Sequence, residues 1–170
     1  MAAYEIMDLQ AEQGAVDQAG KYLTFGLGQE EYGIAILKIK EIIGLMPITA
    51  VPQTPAFIKG VINLRGKVIP VMDLRTKFGL EATDYTDRTC IIVVEIENNS
   101  SSLIMGLVVD GVSEVANIKG VEIEGAPDFG TGRHSGFVQG MAKIAGGVKI
   151  LLDIDSILTG EQLAGLAELH

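Results

Sequence analysis

The feature that most constrains this chain is an internal echo. Gly33-Ile-Ala-Ile-Leu-Lys-Ile-Lys-Glu-Ile is matched, 73 residues on, by Gly106-Leu-Val-Val-Asp-Gly-Val-Ser-Glu-Val. GVINLRGKVIPVMDL, from Gly60, overlays GMAKIAGGVKILLDI, from Gly140, at a shift of 80. Identity is sparse, but Gly60, Gly66, Val68 and Asp73 meet Gly140, Gly146, Val148 and Asp153 in order. Agreement of glycines, apolar spacing and helix cap over most of each half implies a duplication.

Each half reads as about five short strands and one short helix, a strand density that closes into a small barrel and removes free edges. KYLTFGL and EYGIAI pair across GQEE, and TCIIVVEIE pairs with SLIMGLVVDGV across NNSS. Arg65-Gly66 is the turn of a further hairpin, where glycine tolerates positive φ. Pro70 interrupts its second strand, which must lie at an edge or be paired so as to spare the missing N–H. Asp73 caps a short helix carrying Leu74 and Phe78. Two barrels from 170 residues are each marginal alone, so a common core is expected between them. The expected fold is mainly β, two five-stranded barrels sharing a hydrophobic core, with short helices. Residues 1–18 form a flexible acidic tail, about 19–84 and 85–158 two interleaved subdomains, and 159–170 a C-terminal helix with a Thr159/Gln162 capping box.

Composition narrows the function. A net charge of −9 argues against nucleic acid or anionic lipid as the main partner. No apolar run reaches the roughly 20 residues of a membrane helix, and the N-terminus lacks the basic and apolar regions of a secretory signal. The single cysteine, Cys90, excludes an intramolecular disulfide framework, fits a reducing cytoplasm and reads as an inert, buried core thiol.

Chemistry is scarce. GVINLRGKVIPVMDL suggests a phosphate-binding loop, but five residues separate its glycines and Val68 stands where a magnesium-ligating hydroxyl belongs. GTGRHSG misses the dinucleotide spacing. His134 and His170 lack the spaced partners of a zinc site, and Ser135 beside His134 has no nucleophile elbow. Asp153 and Asp155 are explained by helix capping. No catalytic, metal or cofactor site is expected. Binding remains. The second hairpin makes its turn with Ala145-Gly146-Gly147, so the fold does not demand Arg65. Glu41 and Glu114 recur inside apolar strands, and Glu41 is expected to form an ion pair with Arg65.

EYGIAILKIKEI, TPAFIKGVINLRGKVIPVMDLRTKFG and GLVVDGVSEV resemble the hallmark segments of the CheW-like family, from about Lys21 to the final helix. The resemblance implies two SH3-like barrels around a shared core. It implies a cytoplasmic, non-enzymatic adaptor between the cytoplasmic tips of methyl-accepting chemotaxis receptors and the regulatory domain of the CheA histidine kinase. No cofactor is implied, and the membrane is reached only through the receptors. Ile39, Glu41, Arg65, Val112 and Val115 fall in the region that engages partners, with the receptor hairpin along the groove between the barrels. A chain of 170 residues leaves no room beside this domain for kinase modules. The alternatives are a coupler of a non-chemotaxis chemosensory array, for motility or development, and a nucleotide-using enzyme.

Overall fold

The computed structural model describes residues 20–98, 101–125, 136–144 and 146–167. The tail, His134, Ser135, Ala145 and His170 lie outside them. The strands are β1 (Gly20–Leu27), β2 (Glu30–Ala35), β3 (Ile39–Gly44), β4 (Ile58–Leu64), β5 (Lys67–Asp73), β6 (Cys90–Asn98), β7 (Ser101–Val109), β8 (Gly111–Ile118), β9 (Ile123–Gly125), β10 (Val138–Ile144) and β11 (Gly147–Leu152). Two short α-helices follow β5 and β11: α1 (Leu74–Lys77) and α2 (Gly160–Ala167).

The strands form two SH3-like barrels, and the duplication shows in their order. One sheet runs β8-β1-β2-β11-β10-β9 and the other β3-β6-β7-β5-β4. Each begins with the third strand of one repeat and continues with the first hairpin of the other. In both, the late hairpin then joins through a parallel pairing, β11 to β2 and β5 to β7. Each sheet therefore draws strands from both sides of residue 84. The expected five strands hold for one sheet; the other gains β9, whose counterpart is the single Thr49–Val61 bridge. Pro70 is not on an edge strand, but the ladder from β5 to β7 starts one residue later, at Val71.

Alternation across the pleat sorts the apolar residues into three clusters. In β6, Ile92, Val94 and Ile96 face the core shared by the two barrels, while Ile91 and Val93 line the interior of their own. In β1, Leu23 and Phe25 enter the shared core and Tyr22 the other interior. The shared core is the largest and reaches Leu163 and Leu166 of α2. Cys90 corrects the sequence reading. It begins β6, packs only partly against this core and is half-buried. Burial still pushes its thiol above the ordinary value, against a backbone hydrogen bond from Val112.

Local signals held where hydrogen bonding enforces them. Asp73 accepts from the Arg75 N–H at 2.9 Å, and Asp153 from the Asp155 N–H at 3.2 Å. Thr159 and Gln162 exchange side chain-to-backbone hydrogen bonds at 3.0 and 3.1 Å. The recurring Gly60 and Gly140 share one cause, close approach of a flanking strand. A Cβ on Gly60, at φ +148°, would sit 2.0 Å from the Thr49 carbonyl oxygen; on Gly140 it would sit 2.6 Å from that of Glu124.

One ion pair ties distant segments together. Arg75 of α1 donates to both carboxylate oxygens of Asp110, at 2.7 and 2.5 Å, and Asp110 also accepts from the Gly28 N–H at 2.8 Å. Asp110 thus joins the β7–β8 turn to the β1–β2 turn and α1. The Arg75 hydrogen bonds hold its carboxyl below the usual range.

Two outcomes are expected. Gly60→Ala should cost more than about 2 kcal/mol in urea unfolding, while Gly44→Ala, whose Cβ meets nothing, should change stability by less than about 0.5 kcal/mol. Asp110→Asn should cost about 1–2 kcal/mol at neutral pH, the partial exposure of the pair keeping the loss small. Because the folded pKa of Asp110 lies below the unfolded one, its contribution is complete above the ordinary carboxylate range and disappears as pH falls through the folded value. The gap between wild type and Asp110→Asn should therefore close below about pH 4, which melts across an acid series would show.

Candidate functional site

Among the described residues, two that are not glycine have positive φ: Gln53, at +62°, and Arg65, in the β4–β5 turn. Leu64 pairs with Lys67, leaving a two-residue loop in which Arg65 has φ +51° and Gly66 φ +86°. A tight hairpin favours positive φ at both loop positions because this matches the twist of the strands. Asn63 supports the turn by accepting from the Gly66 N–H at 2.8 Å. Asparagine or glycine would suit position 65 best; an arginine there costs about 1 kcal/mol in backbone strain. The β10–β11 hairpin pairs Ile144 with Gly147, which puts Gly146, at φ +94°, in the place of Gly66.

From this turn the Arg65 guanidinium reaches Glu41 on β3. Nη1 donates to Oε1 at 2.8 Å and Nη2 to Oε2 at 2.5 Å. β3 and β4 are opposite ends of the five-strand order, so the pair clasps the seam where that barrel closes. Arg65 is 67% exposed and Glu41 32%, which limits the stabilisation to about 1 kcal/mol or less. The gain from the clasp and the backbone cost nearly cancel. Stability alone gives no reason for arginine here.

The remaining candidates separate. Ile39 is 1% exposed inside the shared core, so it cannot touch a partner as an exposed residue would; its part is to pack β3 onto that core. Val112 is half-buried against the same core, and Val115, on edge strand β8, is 38% exposed. Arg65, Glu41 and Val115 are thus available at the surface, and Ile39 is not. Lys67 is an exposed strand residue next to the turn, not part of a phosphate cradle.

Sequence reading passed over Lys77. Its ammonium lies 4.3 Å from the centre of the Phe57 ring and 6.0 Å from that of Phe137, and burial lowers its pKa. Phe57 and Phe137 are themselves related by the shift of 80, the signal that would have found the pair. Phe137 also stacks on Phe78 at 5.0 Å, continuing to Tyr32 and Phe25. A cleft of about 410 Å³ lies between Val51–Pro55 and α2. No group of His, Cys, Asp and Glu suited to a metal ion occurs among the described residues.

The match to known proteins covers this whole arrangement. The family model for the CheW-like domain fits residues 21–162. The chain belongs to the CheW-like family. This CheW-like chain is 40% identical over 144 residues to a chemotaxis protein CheW of Klebsiella aerogenes, covering 85% of this chain and 84% of that protein. A CheW of Rhizobium meliloti is 34% identical over 140 residues, covering 82% and 88%. Among solved structures, the scaffolding protein TtCheW of Thermoanaerobacter tengcongensis superposes with a TM-score of 0.74 at 36% identity, covering 85% of this chain and 96% of that one.

The strain at Arg65 makes an unusual stability series. Arg65→Gly loses the clasp but relieves the backbone, and should melt at or above the wild-type temperature. Arg65→Ala loses the clasp and keeps the strain, and should be the less stable of the two by about 1 kcal/mol. Thermal melts that rank alanine above glycine would contradict the left-handed turn.

Proposed function

We propose that this CheW-like chain is a non-catalytic adaptor of chemotaxis signalling that couples methyl-accepting chemotaxis receptors to the CheA histidine kinase. The observation that carries the reading is Arg65: an exposed arginine held in a costly backbone conformation, by a pair that returns little stability. Strain of this kind gathers where a surface has another use, and arginine is a frequent anchor of protein interfaces. Its bidentate grip on Glu41 fixes the guanidinium before a partner arrives, so little side-chain entropy remains to be lost on binding.

In this reading the kinase's regulatory domain and the receptor tips are both held by surfaces of the two barrels, with Glu41, Arg65, Val112 and Val115 in or beside the contacts. Ile39 acts from beneath, by setting β3. The protein would be cytoplasmic and reach the membrane through the receptors; among the described residues no helix is long and apolar enough to cross one. Reading the fold as a scaffold also removes any need for a catalytic centre.

The test is calorimetric titration of wild type and Arg65→Gly with a receptor cytoplasmic fragment and, separately, with the kinase's regulatory domain. At least one affinity should fall by more than about 1 kcal/mol, roughly fivefold, while the melting temperature holds. Wild-type affinity for both partners would remove Arg65 from the interface. Failure of the wild type to bind either would end the adaptor reading.

A further inference from the structure

The duplication provides an internal control for the Arg65–Glu41 clasp. Ile39, Lys40 and Glu41 of β3 correspond, at the shift of 73, to Val112, Ser113 and Glu114 of β8. Both triplets carry a β-bulge at the same step. Ile39 pairs with Val94 and Glu41 with Val93, which leaves Lys40 as the extra residue. Val112 pairs with Phe25 and Glu114 with Thr24, which leaves Ser113. A bulge interrupts pairing and re-aims the side chain beside it, so the fold makes that sacrifice twice, each time immediately before a glutamate.

In β8 the bulge is secured by a buried hydroxyl. Thr24 is 0% exposed, and its Oγ1 donates to the Glu114 carbonyl at 3.0 Å and accepts from the Glu114 N–H at 3.2 Å. Ser113, the extra residue, donates to Glu31 at 2.6 Å. The backbone of Glu114 is therefore held from within, while its side chain stays exposed. Its counterpart Glu41 has the Arg65 fork. Glu114 has no ion pair with any described residue, and the sequence places alanine, not arginine, at position 145. Beside it Val115 is 38% exposed, and Val148, the repeat counterpart of Val68, is 45% exposed.

We infer that Glu114 is the vacant half of a second clasp, completed by a partner protein whose loop presents an arginine beside a small apolar side chain. The arginine would take at β8 the role that Arg65 takes at β3, with the apolar residue against Val115. Charge complementarity fixes the sign of that contact: a carboxylate held at a bulge, on a chain of net charge −9, selects a cationic loop. Guanidinium suits it better than ammonium, because the intact clasp in the other barrel is a two-point fork. The inference rests on the adaptor reading for its choice of probes and adds a residue that no part of that reading names.

The experiment is titration of wild type, Glu114→Gln and Glu114→Lys with the kinase's regulatory domain and with a receptor cytoplasmic fragment, each across a salt series. For one of the two probes, Glu114→Gln should bind several-fold more weakly and Glu114→Lys at least tenfold more weakly. The affinity of Glu114→Gln should also depend less steeply on salt than that of wild type. Both variants should melt like wild type, since the carboxylate contributes to no described contact. If wild type binds and both variants match it on both probes at every salt concentration, Glu114 is an ordinary solvated glutamate and the inference is overturned, while the adaptor reading stands. If wild type binds neither probe, the adaptor reading has failed, and the choice of partner falls with it.

Discussion

The pairing of β3 with β6 and of β8 with β1 is the constraint from which the rest of the structure follows. Each repeat hands its third strand and its late hairpin to the sheet that the other repeat begins. Neither barrel can form until both repeats are present. The shared core is then a consequence and not an additional device. β6 sits second in its sheet and is buried on both faces, Ile91 and Val93 on one and Ile92, Val94 and Ile96 on the other. At about 1.5–3 kcal/mol for each fully buried aliphatic side chain, that strand alone is a large share of what opposes the chain entropy of folding.

The exchange also explains what the sequence did and did not disclose. Hairpins and caps are local, so Asp73, Asp153 and Thr159 could be read from spacing, whereas Gly60 showed only as a recurring glycine. The shift of 80 located the Gly146 turn because both hairpins obey the same twist. Strand partnership is a different matter. Period-two alternation tells which residues share a face, yet it is silent on which strand lies alongside. Nothing in EYGIAILKIKEI says that it leaves its own hairpin to pair with TCIIVVEIE. Ile39, which only the family resemblance placed in the region that engages partners, is a core residue that pairs with Val94 across the exchanged edge. Cys90 erred the other way, because it stands at the first position of β6, where the core cover is incomplete.

At the candidate site, composition and conformation carried different information. The charges of Glu41 and Arg65 were conspicuous against apolar strands, and their ion pair was legible as soon as the second repeat showed that the turn could do without arginine. The left-handed backbone of Arg65 was not. A two-residue loop of Arg-Gly lacks the asparagine or aspartate that advertises positive φ at its first position, so the strain becomes visible only with φ +51° in hand. That strain changes the weight of the charge. An exposed arginine in a relaxed turn is ordinary, whereas one kept against its backbone preference calls for a compensating use.

Duplication offers a route to such a use. Two copies of a barrel begin with the same bulge and the same glutamate, and exchange of strands locks both copies into one folding unit. Once folding no longer depends on each surface separately, one copy can close its seam with its own arginine and the other can leave its glutamate to solvent. The two seams then differ in charge, one showing a neutralised fork and the other a glutamate that meets no donor among the described residues, although both follow the same bulge. A scaffold that must hold unlike proteins at once needs this property: surfaces set in fixed relation by a common core, yet chemically unequal. In this fold the core that Ile39 and Val94 help build supplies the fixed relation, and the difference between Glu41 and Glu114 supplies the inequality.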